Sequence, residues 1–217
     1  MFALAILWKM RTDNPCKGVE RNTESKRKRY LSKDERPRLL QALAETPDKQ
    51  FVAAIMLLLL TGARRSEVLG MRWDGLTLTE NKPEWIKPGS TTKQKTDHVV
   101  PLNEPARQLL ASIERRGDYV FPSDNRSGHL VEIKKAWAGL CQRAGITGLR
   151  LHDLRHSFAS LLASGGASLT LIGALLGHAS PVTTARYSHL FDNPQRAAVE
   201  KIGDIISNGV GNGDHHD

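Results

Sequence analysis

Two histidines, an arginine and a tyrosine lie close together in the last third of the chain, in segments that read as helical. His152 and Arg155 are three residues apart, so a helix with 3.6 residues per turn places them on one face. His178 follows a helix that we expect to end at Gly177, and Tyr187 lies within the next helix. Cations and hydrogen-bond donors can hold a phosphate, and a phenol can attack it. These residue types therefore indicate phosphoryl chemistry.

The composition favours a polyanionic partner. The 217 residues include 31 Lys and Arg against 23 Asp and Glu, a formal net charge of +8, which suits nucleic acid or an anionic surface. Cys16 and Cys141 are far apart, which argues against a disulfide scaffold or a zinc site and indicates a reducing compartment. The apolar segment 2–8 is much shorter than the roughly 20 residues that cross a bilayer. We therefore expect a cytoplasmic protein that does not contact a membrane.

Hydrophobic periodicity predicts a mainly helical α+β domain that contains one small antiparallel β-hairpin. Ser32 and Glu35 form a capping-box pattern, which predicts a helix from there to about Ala44. The next helix is almost wholly apolar and is ended by Gly62, and another begins at Arg64 and ends before residue 74. Strands are predicted over 84–86 and 98–102. Further helices are predicted over 104–115, 131–144, 152–164, 169–176, a segment that opens at residue 180, and 194–206.

The order and spacing of the polar motifs resemble the catalytic domain of the tyrosine recombinases, the phage integrase family. The first motif is Thr61-Gly62-Ala63-Arg64-Arg65-Ser66-Glu67, followed by lysines on the hairpin, His152-x-x-Arg155, Leu176-Gly177-His178 and Tyr187. Tyr187 lies nine residues after His178, as in the family pattern. Each motif is modest by itself, but five in this order are highly specific. The resemblance covers roughly residues 30–206 and implies the family's DNA breaking and rejoining fold.

The resemblance also implies roles for six residues. Tyr187 would attack a DNA phosphodiester and leave a 3′-phosphotyrosine and a free 5′-hydroxyl, so that rejoining needs no ATP. The others would hold the phosphate or move protons: Arg64 and Arg155 on the non-bridging oxygens, Lys93 as general acid for the 5′-oxygen, His152 in proton transfer at the nucleophile, and His178 as a phosphate hydrogen-bonding group. A phenol has a pKa of about 10 and needs such cations to attack at neutral pH. No carboxylate cluster indicates Mg²⁺, so we expect no metal and no cofactor.

The sequence leaves the identity of the general-acid lysine open. Lys93 lies eight residues before Pro101, the offset expected from the family, and Lys95 lies two residues further along the same turn. Strand side chains alternate faces, so both lysines could point inward, and we favour Lys93. We interpret His156 and His189 as structural or surface residues.

The resemblance implies three segments and a set of partners. Residues 1–29 would be the last helix of an N-terminal core-binding domain with a basic linker, residues 30–206 the catalytic domain, and residues 207–217 a flexible tail. The partner would be double-stranded DNA, on which a tetramer assembles at paired sites with the helix over 194–206 packing in trans. The resemblance also implies an accessory recombination-directionality protein as a partner. It implies a cytoplasmic location, bacterial or phage, at the nucleoid.

Two other functions remain open at this point. The short N-terminal segment favours a non-catalytic DNA-binding remnant that modulates a full-length recombinase. A type IB topoisomerase would use similar chemistry without site specificity. Covalent capture of DNA by Tyr187 separates the first alternative from a recombinase, and relaxation of supercoiled DNA by a monomer would support the second.

Overall fold

Helices and a small sheet alternate along the part of the chain that the computed structural model describes, which comprises residues 2–20, 29–89, 96–178, 180–190, 199–200, 202–203 and 206. The first half contains α1 (Phe2–Leu7), α2 (Glu35–Ala44), α3 (Lys49–Thr61), α4 (Arg65–Leu69), a 3-10 turn (Trp73–Gly75), β1 (Leu76–Thr77), β2 (Glu84–Lys87) and β3 (His98–Pro101). The second half contains α5 (Glu104–Ser112), α6 (Lys134–Arg143), α7 (Leu151–Ser164), α8 (Leu169–Leu176), α9 (Pro181–Thr184) and a 3-10 segment (Ala185–Leu190).

Local capping chemistry sets the ends of several helices. Asp48 begins α3 because its carboxylate accepts the Phe51 N–H, and Asn103 and Ser168 cap α5 and α8 in the same way. The end of α3 requires Gly62, whose φ of +62° lies in the left-handed region. The same motif therefore ends the buried helix and starts the turn that leads into α4.

The three strands form an antiparallel sheet in the order β1-β2-β3. Trp85 pairs with Val100, and Lys87 pairs with His98 directly across the sheet. Trp85 and Val100 are buried in the larger core, which also contains side chains from α2, α3, α5 and α6. The sheet is thereby fixed to the helices at its buried face, next to α4.

A second, smaller core lies between α7, α8 and the 3-10 segment. Its buried members are Ala159, Ala163, Ile172, Leu176 and Tyr187. The predicted nucleophile is therefore packed into a hydrophobic cluster, and its ring is held by the helices that carry the two histidine motifs.

The structure corrects several predicted boundaries. The reciprocal bonds of the Ser32–Glu35 capping box are present, but α2 begins at Glu35, inside the box. β1 was not predicted and converts the hairpin into a three-stranded sheet. Helix α4 ends at Leu69, earlier than expected, and Tyr187 lies in a 3-10 segment that continues α9.

Three predictions concern residues outside the described part of the chain. They are the two hairpin lysines, Lys93 and Lys95, most of the final helix over 194–206, and the tail over 207–217. The side chain of His189 is also outside it. No helix among the described residues is long and apolar enough to cross a membrane. Helix α1 has no buried residue, and Leu7 and Trp8 are largely exposed.

Candidate active site

Arg155 connects two turns that lead to two other motif residues, Arg64 and His178. Its Nη1 donates to the Gly62 carbonyl at 2.8 Å and its Nη2 donates to the Leu176 carbonyl at 2.7 Å. Gly62 lies two residues before Arg64, and Leu176 lies two residues before His178. One guanidinium on α7 therefore sets the positions of both turns.

The Arg155 guanidinium remains a cation despite its burial. Arg155 is only 4% exposed. This burial, together with the nearby charge of Arg64, lowers the pKa of Arg155 to about 10. A pKa of that size leaves the side chain protonated at neutral pH. Guanidinium has five N–H groups, of which the two carbonyls use two, so three remain for a further acceptor.

Arg64 occupies the N-cap position of α4 and is held by Glu67. The backbone N–H of Arg64 donates to one Glu67 oxygen at 2.9 Å, and its Nη1 donates to the other at 2.6 Å. The Arg64 side chain remains 41% exposed. Glu67 also accepts from the Lys87 ammonium at 3.0 Å. Burial raises the pKa of Glu67, but the Lys87 charge and the Arg64 bonds outweigh it, so the pKa is lowered and the carboxylate is ionised.

The two motif histidines are neutral imidazoles at neutral pH. Partial desolvation, followed by the charge of Arg155, lowers the pKa of His152. Burial and then the charges of Arg155 and Arg64 lower the pKa of His178 to about 4. His178 Nδ1 is hydrogen-bonded to the Thr184 hydroxyl at 2.8 Å, which fixes the ring. Among these motif residues the positive charge therefore comes from the arginines, and both imidazoles are uncharged.

Tyr187 is buried, and its hydroxyl is hydrogen-bonded to His156. The residue is 2% exposed, and the His156 Nδ1–Tyr187 Oη distance is 2.7 Å. Burial raises the pKa of Tyr187, although the Arg186 and Arg155 charges oppose that change. The phenol is therefore protonated in this structure and is not open to an approaching phosphate.

Comparison with known protein families matches residues 29–193 to the phage integrase family. The chain belongs to that family. Among its relatives, the integrase of Salmonella phage P22 is 30% identical over 223 residues, which cover 96% of this chain and 55% of the relative. The tyrosine recombinase XerD of Rhizobium meliloti (strain 1021) is 32% identical over 167 residues, which cover 72% of this chain and 50% of the relative. The chain spans about half the length of these curated relatives.

Solved structures of phage integrases and Xer recombinases have the same fold. The XerH site-specific recombinase bound to palindromic difH substrate, a post-cleavage complex, has a TM-score of 0.68 at 23% identity, and the match covers 84% of this chain and 55% of that one. The catalytic domain of bacteriophage HP1 integrase has a TM-score of 0.60 at 23% identity, and the match covers 79% of this chain and 93% of that one. The predicted fold, mainly helical with a small antiparallel sheet, is confirmed.

Most of the integrase-family motif residues are brought together. The charge of Arg64 acts on Arg155, His152 and His178, and that of Arg155 acts on Tyr187. These five residues lie on α4, α7, the turn after α8, and the 3-10 segment. The sixth, Lys93, is outside the described part of the chain, so its assignment stays a prediction.

Sequence reasoning assigned no role in this site to two residues that lie in it. His156 was interpreted as a structural or surface residue; it is 8% exposed and contacts the Tyr187 hydroxyl, which agrees with the structural interpretation and not with the surface one. Its position directly after Arg155 was the only signal in the sequence. Lys87 is 2% exposed and bonds Glu67, but it belongs to no motif. Only its place at the end of the predicted strand, directly after the apolar Trp85 and Ile86, could have singled it out.

Proposed function

We propose that this protein is a site-specific tyrosine recombinase that breaks and rejoins double-stranded DNA. The observation that carries the proposal is Arg155, whose guanidinium bonds the carbonyls of both neighbouring turns and so places Arg64 and His178 beside the tyrosine-bearing segment. Membership of the phage integrase family supports the same activity. Two arginines that converge from separate helices match the two non-bridging oxygens of a phosphodiester.

In the proposed reaction, the Tyr187 oxygen attacks the scissile phosphorus and the bond from phosphorus to the 5′-oxygen breaks. The phenol proton leaves to a base, and the lowered pKa of His152 keeps its imidazole in the accepting form. The departing 5′-oxygen takes a proton from Lys93, with Lys95 as the other lysine on the same turn. The 3′-phosphotyrosine retains the ester bond energy, so rejoining by the 5′-hydroxyl needs neither ATP nor a metal.

The arginines and His178 supply electrostatic stabilisation to this reaction. Negative charge accumulates on the non-bridging oxygens as the phosphorus becomes five-coordinate, and fixed cations stabilise that charge without reorganising. His178 is oriented by Thr184 at Nδ1, which leaves Nε2 for a phosphate oxygen. Tyr187 must first leave His156, because its hydroxyl is buried in the second core.

The proposal extends to domains and partners. We divide the chain into a helix-and-linker segment over 1–29, a catalytic domain over 30–206 and a tail over 207–217. The family match over 29–193 and the lack of buried residues in α1 support the first boundary. Double-stranded DNA is the proposed partner, with a tetramer on paired sites, trans packing of the helix over 194–206, an accessory directionality protein, and a cytoplasmic location at the nucleoid.

A covalent-capture experiment tests the activity. Binding-site selection from random duplexes identifies a target, and a nicked suicide duplex of that sequence is then incubated with the protein in EDTA without ATP. We expect wild type to give a covalent adduct on a denaturing gel. Tyr187→Phe should give none, whereas Tyr119→Phe, which alters a tyrosine stacked on His129, should match wild type.

The possible outcomes separate the candidate functions. No adduct above the Tyr187→Phe level, together with salt-sensitive DNA retention by both proteins, would indicate a non-catalytic DNA-binding protein. Relaxation of supercoiled plasmid without sequence preference would indicate a type IB topoisomerase. An adduct that forms only when Mg²⁺ is supplied would contradict the metal-independent reaction.

A further inference from the structure

Lys87 is the most deeply buried ammonium among the described residues and lies outside every motif of the family pattern. It is the last residue of β2, where it pairs with His98 across the sheet. Its side chain is 3% exposed, with Nζ 3.0 Å from Glu67 and 5.2 Å from the centroid of the Trp85 ring. Lysine is almost never buried to this degree unless it is paired. The pairing partner therefore decides what this residue does.

Glu67 is shared between two cations. One of its oxygens accepts from the Lys87 ammonium and the Arg64 backbone, and the other accepts from the Arg64 guanidinium. One negative and two positive charges leave this group of three residues with a net charge of +1. If Lys87 were neutral, the carboxylate would cancel the charge of Arg64, and the net charge would be zero.

We propose that Lys87 is a positioning residue that neutralises Glu67, so that Arg64 keeps an uncompensated positive charge for the scissile phosphate. This inference rests on the proposed function. The Lys87 ammonium is bonded to Glu67 and its side chain is only 3% exposed, whereas the Arg64 side chain is 41% exposed. Lys87 acts through Glu67, and Arg64 is the group that meets the phosphate.

A purely stabilising salt bridge is the alternative role for Lys87. Buried ion pairs contribute little net stability, because desolvation offsets the attraction. The two roles make different predictions about substrate charge. A stabilising pair would affect every substrate equally, whereas a residue that tunes the charge of Arg64 matters most when the scissile phosphate is an anion.

The first test compares Lys87→Met with Lys82→Met in single-turnover cleavage of the suicide duplex. Lys82 is a matched control because it lies just before β2 and pairs with Glu84 of that strand at 3.1 Å, but its side chain is 79% exposed. We expect Lys87→Met to cleave about tenfold more slowly, a fraction of the loss seen when an oxyanion-stabilising donor is removed, with DNA retention changed less than about twofold. Lys82→Met should match wild type.

The decisive arm replaces one non-bridging oxygen of the scissile phosphate by a methyl group, which makes that phosphate neutral. The deficit of Lys87→Met should shrink to less than about twofold on this methylphosphonate duplex, because its transition state carries one negative charge fewer, which Arg155 can stabilise without the full charge of Arg64. The proposal would be overturned if Lys87→Met cleaved the normal duplex at the wild-type rate, or if its deficit persisted on the methylphosphonate duplex. The double variant Glu67→Gln with Lys87→Met should recover most of the rate, which also guards against a folding defect.

A second measurement does not depend on catalysis. Phenylglyoxal modifies guanidinium groups, and mass spectrometry can follow the rate at Arg64 in the free protein. Lys87→Met should slow this modification several-fold, because Glu67 then binds Arg64 alone, and the double variant should restore it. Equal rates in all three proteins would refute the charge sharing. If wild type forms no DNA adduct, the proposed function fails, and the Arg64 rate still decides the role of Lys87.

Discussion

Replacing His156 by Asn should make the stability of the protein less sensitive to acid. Burial first, and then the charges of Arg186 and His152, lower the pKa of His156 to about 4 from its ordinary value of 6.5. The unfolded chain therefore binds a proton near pH 6.5, and the folded protein binds it only near pH 4. Stability from the neutral imidazole is present above the unfolded pKa and is lost as pH falls through the folded one.

The magnitude follows from the difference between the two pKa values. A difference of about 2.5 units at about 1.36 kcal/mol per unit gives about 3 kcal/mol. No large correction for solvent screening applies, because His156 is only 8% exposed. Asparagine places an amide near the position of Nδ1, where it can keep the bond to Tyr187, and it does not titrate.

Urea unfolding from about pH 7.5 to about pH 4.5 at constant ionic strength measures the effect. Wild type should lose about 2–3 kcal/mol more than His156→Asn over that range. Tyr187→Phe is the control, and it should keep the wild-type acid sensitivity because burial, rather than the phenol, is the largest cause of the shift. Parallel stability curves for wild type and His156→Asn would refute the reasoning.

Three further predictions concern the groups that place the site. Gly62→Ala should lower the free energy of unfolding by about 2–4 kcal/mol, because the backbone has a positive φ there and the new methyl overlaps an aromatic ring of α7. Gly166→Ala has open space around the new methyl and should cost about 1 kcal/mol, so equal losses of the two variants in urea unfolding would contradict this reasoning. Arg155→Lys keeps the charge but cannot bond both carbonyls. We therefore expect about 1.5–3 kcal/mol lower stability and at least about hundredfold less covalent adduct. An unchanged adduct yield would exclude the proposed role of Arg155. Thr184→Val removes the partner of His178 Nδ1. It should slow adduct formation about tenfold while changing the free energy of unfolding by less than about 1 kcal/mol. Adduct formation at the wild-type rate would show that this bond does not orient the ring.

The sequence alone determined the features that depend on neighbours within a few residues. The left-handed turn at Gly62 and the caps at Asn103 and Ser168 act over two to four residues, and the end of α3 and the starts of α5 and α8 were predicted where these residues place them. The family resemblance likewise rests on short motifs in a fixed order, which is why the fold was predicted correctly. Boundaries were less certain where a 3-10 turn competes with an α-helix, as around Tyr187.

Only the tertiary structure decided which residues of the site contact one another. Arg155 reaches a carbonyl 93 residues away, His156 reaches Tyr187 across 31 residues, and Lys87 reaches Glu67 across 20. Such contacts depend on how α4, α7, α8 and the sheet pack, and on burial, which makes an unpaired polar group expensive. The sequence identified the residues that can hold and attack a phosphate. Packing determined that the phenol is buried against a neutral histidine and that a lysine outside the motifs shares the Glu67 carboxylate with Arg64.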